Sequence, residues 1–326
     1  MNDRGLKVLE QYDLKVAATR RGRGSYICET DKGKKLLTEF SGSAKRLAFQ
    51  NKVLALLKEN GVSNVDYILE NMEGNLVSYD RDENGYVVKD WFEGKECDTK
   101  NEEDIAIAIK NLAMIHKVMR MEGTEEDMIY QGGDLVEELE RHNQELKKVR
   151  AFMRSRRGKN AFESKFLESF PVFFEQAEDS VRRIKESTYE KLRQESLNKG
   201  QLIHGCYNQH QILIGRDGVS TTNFDKCRYD IPVTDLYQFL RKILEKQDWN
   251  IALGMKMLGE YGSVRRISDM EMEHLMLRLY YPEKFWKLAN QYYNMNKAWI
   301  PQKNVEKLEI LMKQQDQRNC FLKILE

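Results

Sequence analysis

The stretch Gln201 to Leu240 sets histidine, cysteine and aspartate side chains close together in the chain. His204 and His210 are candidate proton acceptors, Cys206 between them is a candidate nucleophile, and Asp225 and Asp235 are carboxylates that could orient a proton or hold a cation. A Cys206 and His210 pair has no evident third member to orient the imidazole, and spacing along a loop does not establish its geometry. An aspartate that follows Asn223 and Phe224 in a tight turn is expected to hydrogen-bond local backbone amides; the alternative is a metal contact.

Such residues need elements to hold them. Leu202 and Ile203 form a short apolar run that leads into His204 and Gly205, and Ile212 to Ile214 form a second run that ends at the turn Arg216-Asp217-Gly218. That pattern predicts short strands joined by an Asp-Gly turn. Asp235 then opens an apolar helix, where a first-turn or capping position would suit a carboxylate.

Upstream, Leu14 to Ala17, Ser25 to Cys28 and Lys35 to Phe40 read as strands, and Leu47, Phe49, Val53, Leu54, Leu56 and Leu57 as a helix that stops at Gly61. Strand signals resume around Tyr67 to Leu69, Leu76 to Tyr79 and Tyr86 to Lys89. From Asn101 onward helical spacing dominates: 105–116, 135–152, 161–197, 235–245, 249–261, 268–279, 283–294 and 305–321. The expected fold is α+β and bilobal. A small five-stranded antiparallel β lobe with one helix occupies 1–91, and a mainly α-helical lobe containing the 201–240 hairpin occupies 92–326.

At 326 residues and 41% apolar content the chain can bury a substantial core, and a formal net charge of +1 argues against a nucleic-acid binder that works through a general positive field. The five cysteines are widely spaced with no CxxC pair, so neither a disulfide framework nor a zinc site is expected. No signal-like apolar core opens the sequence, and no run of about 18 apolar residues occurs, so cytoplasmic synthesis without a membrane partner is expected.

The segment His204-Gly205-Cys206-Tyr207-Asn208-Gln209-His210-Gln211 resembles the HGDxxxxN loop of the aminoglycoside and choline phosphotransferase-like superfamily, which has a protein-kinase-like fold. More specifically, this loop, the segment ending in Asp225, and the tail from Tyr281-Pro282-Glu283-Lys284-Phe285-Trp286 to Trp299 resemble the bacterial spore coat CotS family. The resemblance spans nearly the whole chain and is most specific in its C-terminal half.

Carried over residue by residue, the resemblance puts Cys206 at the catalytic aspartate, Gln211 at the metal-binding asparagine and Asn223 at the metal-binding aspartate. It puts Thr38 at the phosphate-holding lysine and Gln50 at that lysine's glutamate partner, with Lys34 or Lys35 as a displaced substitute. A thiol with a pKa of about 8.5 is a poor replacement for a carboxylate that orients a hydroxyl at neutral pH, and a hard cation loses its main anionic ligand at Asn223. His204 is implied to hold the loop, and Asp235 to brace it by hydrogen bonds.

The reading is therefore a pseudokinase that serves as a structural or interaction component of a spore coat, with no cofactor. Its alternative is an active small-molecule phosphotransferase that uses ATP and Mg²⁺ with Asp225 in a shifted role. Expected partners are other coat proteins or an acidic protein surface, for which the basic run between Lys147 and Lys159, seven of thirteen residues, is a candidate. A small-molecule ligand in the interlobe cleft is a further option. The glycine-rich Arg21-Gly22-Arg23-Gly24-Ser25 lies where a phosphate-covering loop would sit but lacks the P-loop ending. Phe285, Trp286, Tyr292, Tyr293 and Trp299 are spaced as helix core.

Overall fold

The computed structural model describes residues 3–22, 24–294 and 302–326; Arg23 and Trp299 lie outside the described residues. Strands β1 (Val16–Gly22), β2 (Ser25–Thr30) and β3 (Gly33–Glu39) form an antiparallel meander, followed by helix α1 (Ala44–Glu59). Strands β4 (Ile68–Leu69), β5 (Ser78–Tyr79) and β6 (Gly85–Asp90) complete the sheet in the order β1-β2-β3-β6-β4, with β5 also on β6. The sheet thus has six strands, because the two-residue β5 pairs as well as the five on the main path. A short 3-10 helix, Asp3–Gln11, precedes it and is not among the elements expected from the sequence.

Register decides what each strand offers to each side. Residues opposite one another share a face, and successive residues alternate. Tyr26, Leu37 and Val88 are in register and pack with Val8, Leu9 and Tyr12 beneath the outer face. Val87 packs instead with Leu47, Val53 and Leu57 of α1, so Thr38, opposite Val87, and Lys89, two residues further along β6, face the helix and the interlobe side.

The chain leaves this sheet at Asp90 and enters the helical lobe through β7 (Lys95–Glu96) and α2 (Glu102–Val118). Helices α3 (Leu135–Ser155), α4 (Ala161–Glu186) and α5 (Tyr189–Asn198) follow. The single helical pattern expected over 161–197 is broken at Ser187 and Thr188. Ser187 Oγ bonds Ile184 O and accepts from Tyr189 N, and this competes with the helix ladder.

Next come β8 (Leu202–Ile203), β9 (Ile212–Gly215), β10 (Gly218–Thr221) and β11 (Arg228–Tyr229). Strands β9 and β10 form the Asp-Gly hairpin and take β7 as a third strand, while β8 pairs with β11. Helices α6 (Val233–Lys246), α7 (Ile251–Val264), α8 (Asp269–Tyr280) and α9 (Glu283–Asn294) complete the core with α10 (Gln302–Lys313) and α11 (Gln315–Leu325). The last two replace one expected helix, separated at Gln314, whose side chain is tied to Glu245 O and Asp248. Phe285 stacks on Phe166 at 4.6 Å and Trp286 on His142 at 3.4 Å, which makes this part of the aromatic cluster core.

Candidate interlobe site

Asp235 is fully buried in the first turn of α6, and its carboxylate caps no helix. Oδ2 accepts from the backbone N–H of His204 at 2.7 Å, Oδ1 from that of Gly205 at 2.9 Å, and His116 Nε2 lies 3.2 Å from Oδ2. Burial alone would raise this carboxyl, but the hydrogen bond from His116 holds it below the ordinary range. Gly205 is needed for its backbone: at φ 79° a side chain is strained, and a Cβ would sit 2.1 Å from Lys226 O.

His204 is equally buried. Its Nε2 donates to Thr222 O at 3.0 Å and its Nδ1 accepts from Cys206 N at 3.2 Å, so the ring ties the loop to the end of β10. Burial pushes the pKa of both His204 and His116 down, favouring neutral rings. Both ring nitrogens of His204 are thus occupied by the backbone.

The loop that this framework supports carries Cys206, Asn208, His210 and Gln211. Cys206 is partly exposed, with Asn208 Nδ2 at 2.7 Å from its carbonyl and 3.7 Å from its sulfur. Gln211 Oε1 accepts from Thr222 Oγ1 at 3.3 Å. His210 is turned toward Glu96 and Gln209, so the structure does not assemble the imagined Cys206 and His210 pair. In the other lobe Thr38 Oγ1 accepts from Ser25 Oγ at 2.9 Å. Lys35 lies on the outer face, where its Nζ binds Asp90 at 2.7 Å and Lys32 O at 2.6 Å; strand alternation keeps it from the displaced phosphate role. Lys34, on the other face, pairs with Glu93 at 2.8 Å and with Glu29.

Asn223 sits in the left-handed region at φ 67°, a conformation that asparagine tolerates. It throws Asp225 toward the small lobe. Asp225 Oδ1 receives Lys89 Nζ at 3.0 Å and Gln50 Nε2 at 3.2 Å, and the Asn223 amide, oriented with its nitrogen inward, donates to Oδ2 at 2.8 Å. The carboxylate therefore takes side chains from α1, β6 and Asn223, where the backbone amides of its own turn were expected. Asp66 completes the group. Its Oδ2 accepts from Asn223 N at 2.9 Å and lies 3.6 Å from Lys89 Nζ, while its Oδ1 is buried without a partner.

Burial would lower the Lys89 pKa, but the charges of Asp66 and Asp225 outweigh it and hold the ammonium above its ordinary value. Burial raises Asp66 to about 6. Lys89 and Asp66 are 7% and 3% exposed at the side chain, whereas Asp225 is 59% exposed. Arg46 of α1 reinforces the junction, donating to Asp225 O at 2.8 Å and to Cys227 O while its guanidinium lies over the rings of Phe49 and Tyr130.

Lys89, Asp66, Arg46 and His116 were not legible as site residues. The one available signal was a lysine inside a strand of valines, Val87-Val88-Lys89, where burial is expected and a charge needs a partner. These surroundings do not suit a hard divalent cation: Asp225 Oδ1 faces the Lys89 ammonium and the Gln50 amide, and Gln211 Oε1 is turned to Thr222. Among the described residues no three His, Cys, Asp or Glu side chains are grouped to hold a metal. No described helix is long and apolar enough to cross a membrane.

Residues 6–325 match the protein family described as "Spore coat putative kinase YutH". Spore coat protein S of Bacillus subtilis (strain 168) is 21% identical over 318 residues, covering 94% of this chain and 88% of that protein. An aminoglycoside phosphotransferase from Alicyclobacillus acidocaldarius superposes with a TM-score of 0.87 at 18% identity, covering 98% of this chain and 94% of its own. Spectinomycin phosphotransferase, solved with ADP and spectinomycin, gives 0.65 at 11%, covering 94% and 92%. Amicoumacin kinase gives 0.59 at 12%, covering 97% and 92%. At such identities the likeness establishes a shared kinase-like fold.

Proposed function

This chain belongs to the YutH family of spore coat kinase-like proteins, and from that premise we propose that it is a kinase-fold pseudoenzyme that acts as a structural or interaction component of the coat. The observation that carries the reading is the engagement of Asp225: the carboxylate nearest the lost metal position is bound by Lys89, Gln50 and Asn223. Phosphoryl transfer depends on positioned charge, from a carboxylate beside the attacking hydroxyl, metal-holding groups and a phosphate-holding lysine. Here those positions carry Cys206, Gln211, Asn223 and Thr38. Each electrostatic group of this kind is worth roughly 3 kcal/mol of barrier, and although such losses do not add, their joint direction is toward negligible turnover.

The loop framework of His204, Gly205 and Asp235 serves the fold without chemistry. For a coat partner, the run from Lys147 to Lys159 offers exposed Arg154 and Arg157, while Lys147 pairs with Glu178 and Arg156 with Glu163 inside the molecule. An acidic surface on another coat protein suits that end of α3.

Transfer of labelled phosphate from ATP, with Mg²⁺ or Mn²⁺, across a panel of sugars and amino alcohols tests the reading. No turnover is expected. Turnover that disappears in Asp225→Ala would establish instead the active phosphotransferase, a reading favoured by the solvent exposure of Asp225. Native mass spectrometry of the freshly purified protein would reveal a retained small molecule in the cleft.

A further inference from the structure

Three elements distant in sequence converge on one oxygen. Strand β6 delivers Lys89, helix α1 delivers Gln50, and both donate to Asp225 Oδ1 in the loop after β10. In register, Leu36 stands opposite Lys89 and Thr38 opposite Val87, so the ammonium starts one row away from the hydroxyl that occupies the lysine position of β3. A lysine stem is long enough to cross that row.

The charges around this ammonium have a definite arrangement. Asp66, from the small lobe, and Asp225, from the large one, lie 3.6 and 3.0 Å from Lys89 Nζ. One oxygen of Asp66 is buried with no hydrogen-bond partner, so this side chain has unsatisfied capacity for a cation. The lobes are also joined here through backbone amides: Asn223 N donates to Asp66 Oδ2 and Thr221 N to Asn64 O, each at 2.9 Å.

We infer that Lys89 is a built-in cation, which supplies the charge compensation and cross-lobe bridging that a divalent ion supplies in a metal-dependent site and so holds the two lobes closed with no nucleotide or metal. The inference deepens the pseudoenzyme reading, but its readout is closure and not turnover. A chain that transferred phosphate yet stayed closed without metal would overturn that reading and leave this one standing.

Hydrogen exchange at the Thr221 and Asn223 amides of the full chain, with and without MnCl₂, provides the test. In the wild type both amides are expected to be protected and indifferent to Mn²⁺. In Lys89→Met they should exchange about tenfold faster or more, the effect of losing a charge-assisted contact on a local opening, while amides of α8 are unchanged. Mn²⁺ should restore protection by binding the bared Asp66 and Asp225. If Lys89→Met does not fold, Asp225→Asn, which alters a largely exposed side chain, should show the acceleration without recovery by Mn²⁺. Protection of the wild type by Mn²⁺, unchanged exchange in the variant that folds, or failure of Mn²⁺ to rescue Lys89→Met would overturn the inference.

Discussion

Lys89 and Asp225 stand 136 positions apart in the chain, yet Nζ and Oδ1 meet at 3.0 Å across the two lobes. The contact joins β6 of the small lobe to the segment that follows β10 in the large one. Its partners differ in environment: the ammonium is buried with Asp66, while Asp225 is open to solvent.

Lys89→Met should destabilise the protein by about 2 kcal/mol, less than for a fully buried pair because Asp225 is solvated, and more than for a surface pair because Asp66 is not. Urea denaturation would read this as a lowered midpoint. Lys89→Met placed in an Asp66→Asn background should cost less than in the wild type, since the stranded acid is gone. Equal costs in the two backgrounds would show that Asp66 and Lys89 are not coupled.

Asp235→Asn should cost roughly 3 kcal/mol or more, because three donors point at a buried carboxylate and an amide can accept at only one oxygen. A large drop in Tm, with faster exchange of the His204 and Gly205 amides, is the expected result. A near-neutral outcome would mean that Asp235 does not brace the loop.

Stability should fall on acidification. His116, His204 and His274 are buried with pKa values pushed below the ordinary 6.5, His274 well below it and with neither ring nitrogen bonded. The unfolded chain therefore binds more protons below about pH 6.5, and denaturant midpoints should drop as pH falls through that region. Asp66 works in the opposite sense. Raised from 3.8 to about 6, it stays protonated in the fold where the unfolded chain has released its proton, so its contribution is fully present below 3.8 and is lost as pH rises through about 6. Asp66→Asn should remove that contribution and steepen the acid-side fall between the two values. Parallel profiles for the variant and the wild type would count against the buried, partly unpartnered Asp66.

Cys206→Asp should not create phosphotransferase activity. The new carboxylate would stand on an intact loop, but Gln211, Asn223 and Thr38 would still lack the charges that hold metal and phosphates. A coupled ATP assay with the sugar and amino alcohol panel would detect any transfer above the wild-type background. Robust turnover from this single change would show that the rest of the site had remained competent.

The chain's local patterns were enough to describe much of its framework. The family resemblance marked His204-Gly205 and Asp235 as the supporting loop, while the period-two runs, the helical faces and the Asp-Gly turn placed a β-rich lobe before a helical one. Such features follow from interactions between residues close in sequence, and they leave a periodic signature. Where side chains compete with the ladder, as at Ser187, the same periodicity ran two helices together.

What tertiary structure alone decided is the set of partners. Thr38 and Cys206 could be read as replacements by position, but neither announces what does the holding instead. Alternation and register sent Lys35 to Asp90 on the outer face and Lys89 to the inner one. Closure of the lobes then brought Gln50, 175 residues from Asp225, and Arg46, 179 residues away, onto the same loop. A charge acquires its role from the carboxylate that burial places beside it, and that pairing is made in space after the strands and helices have packed.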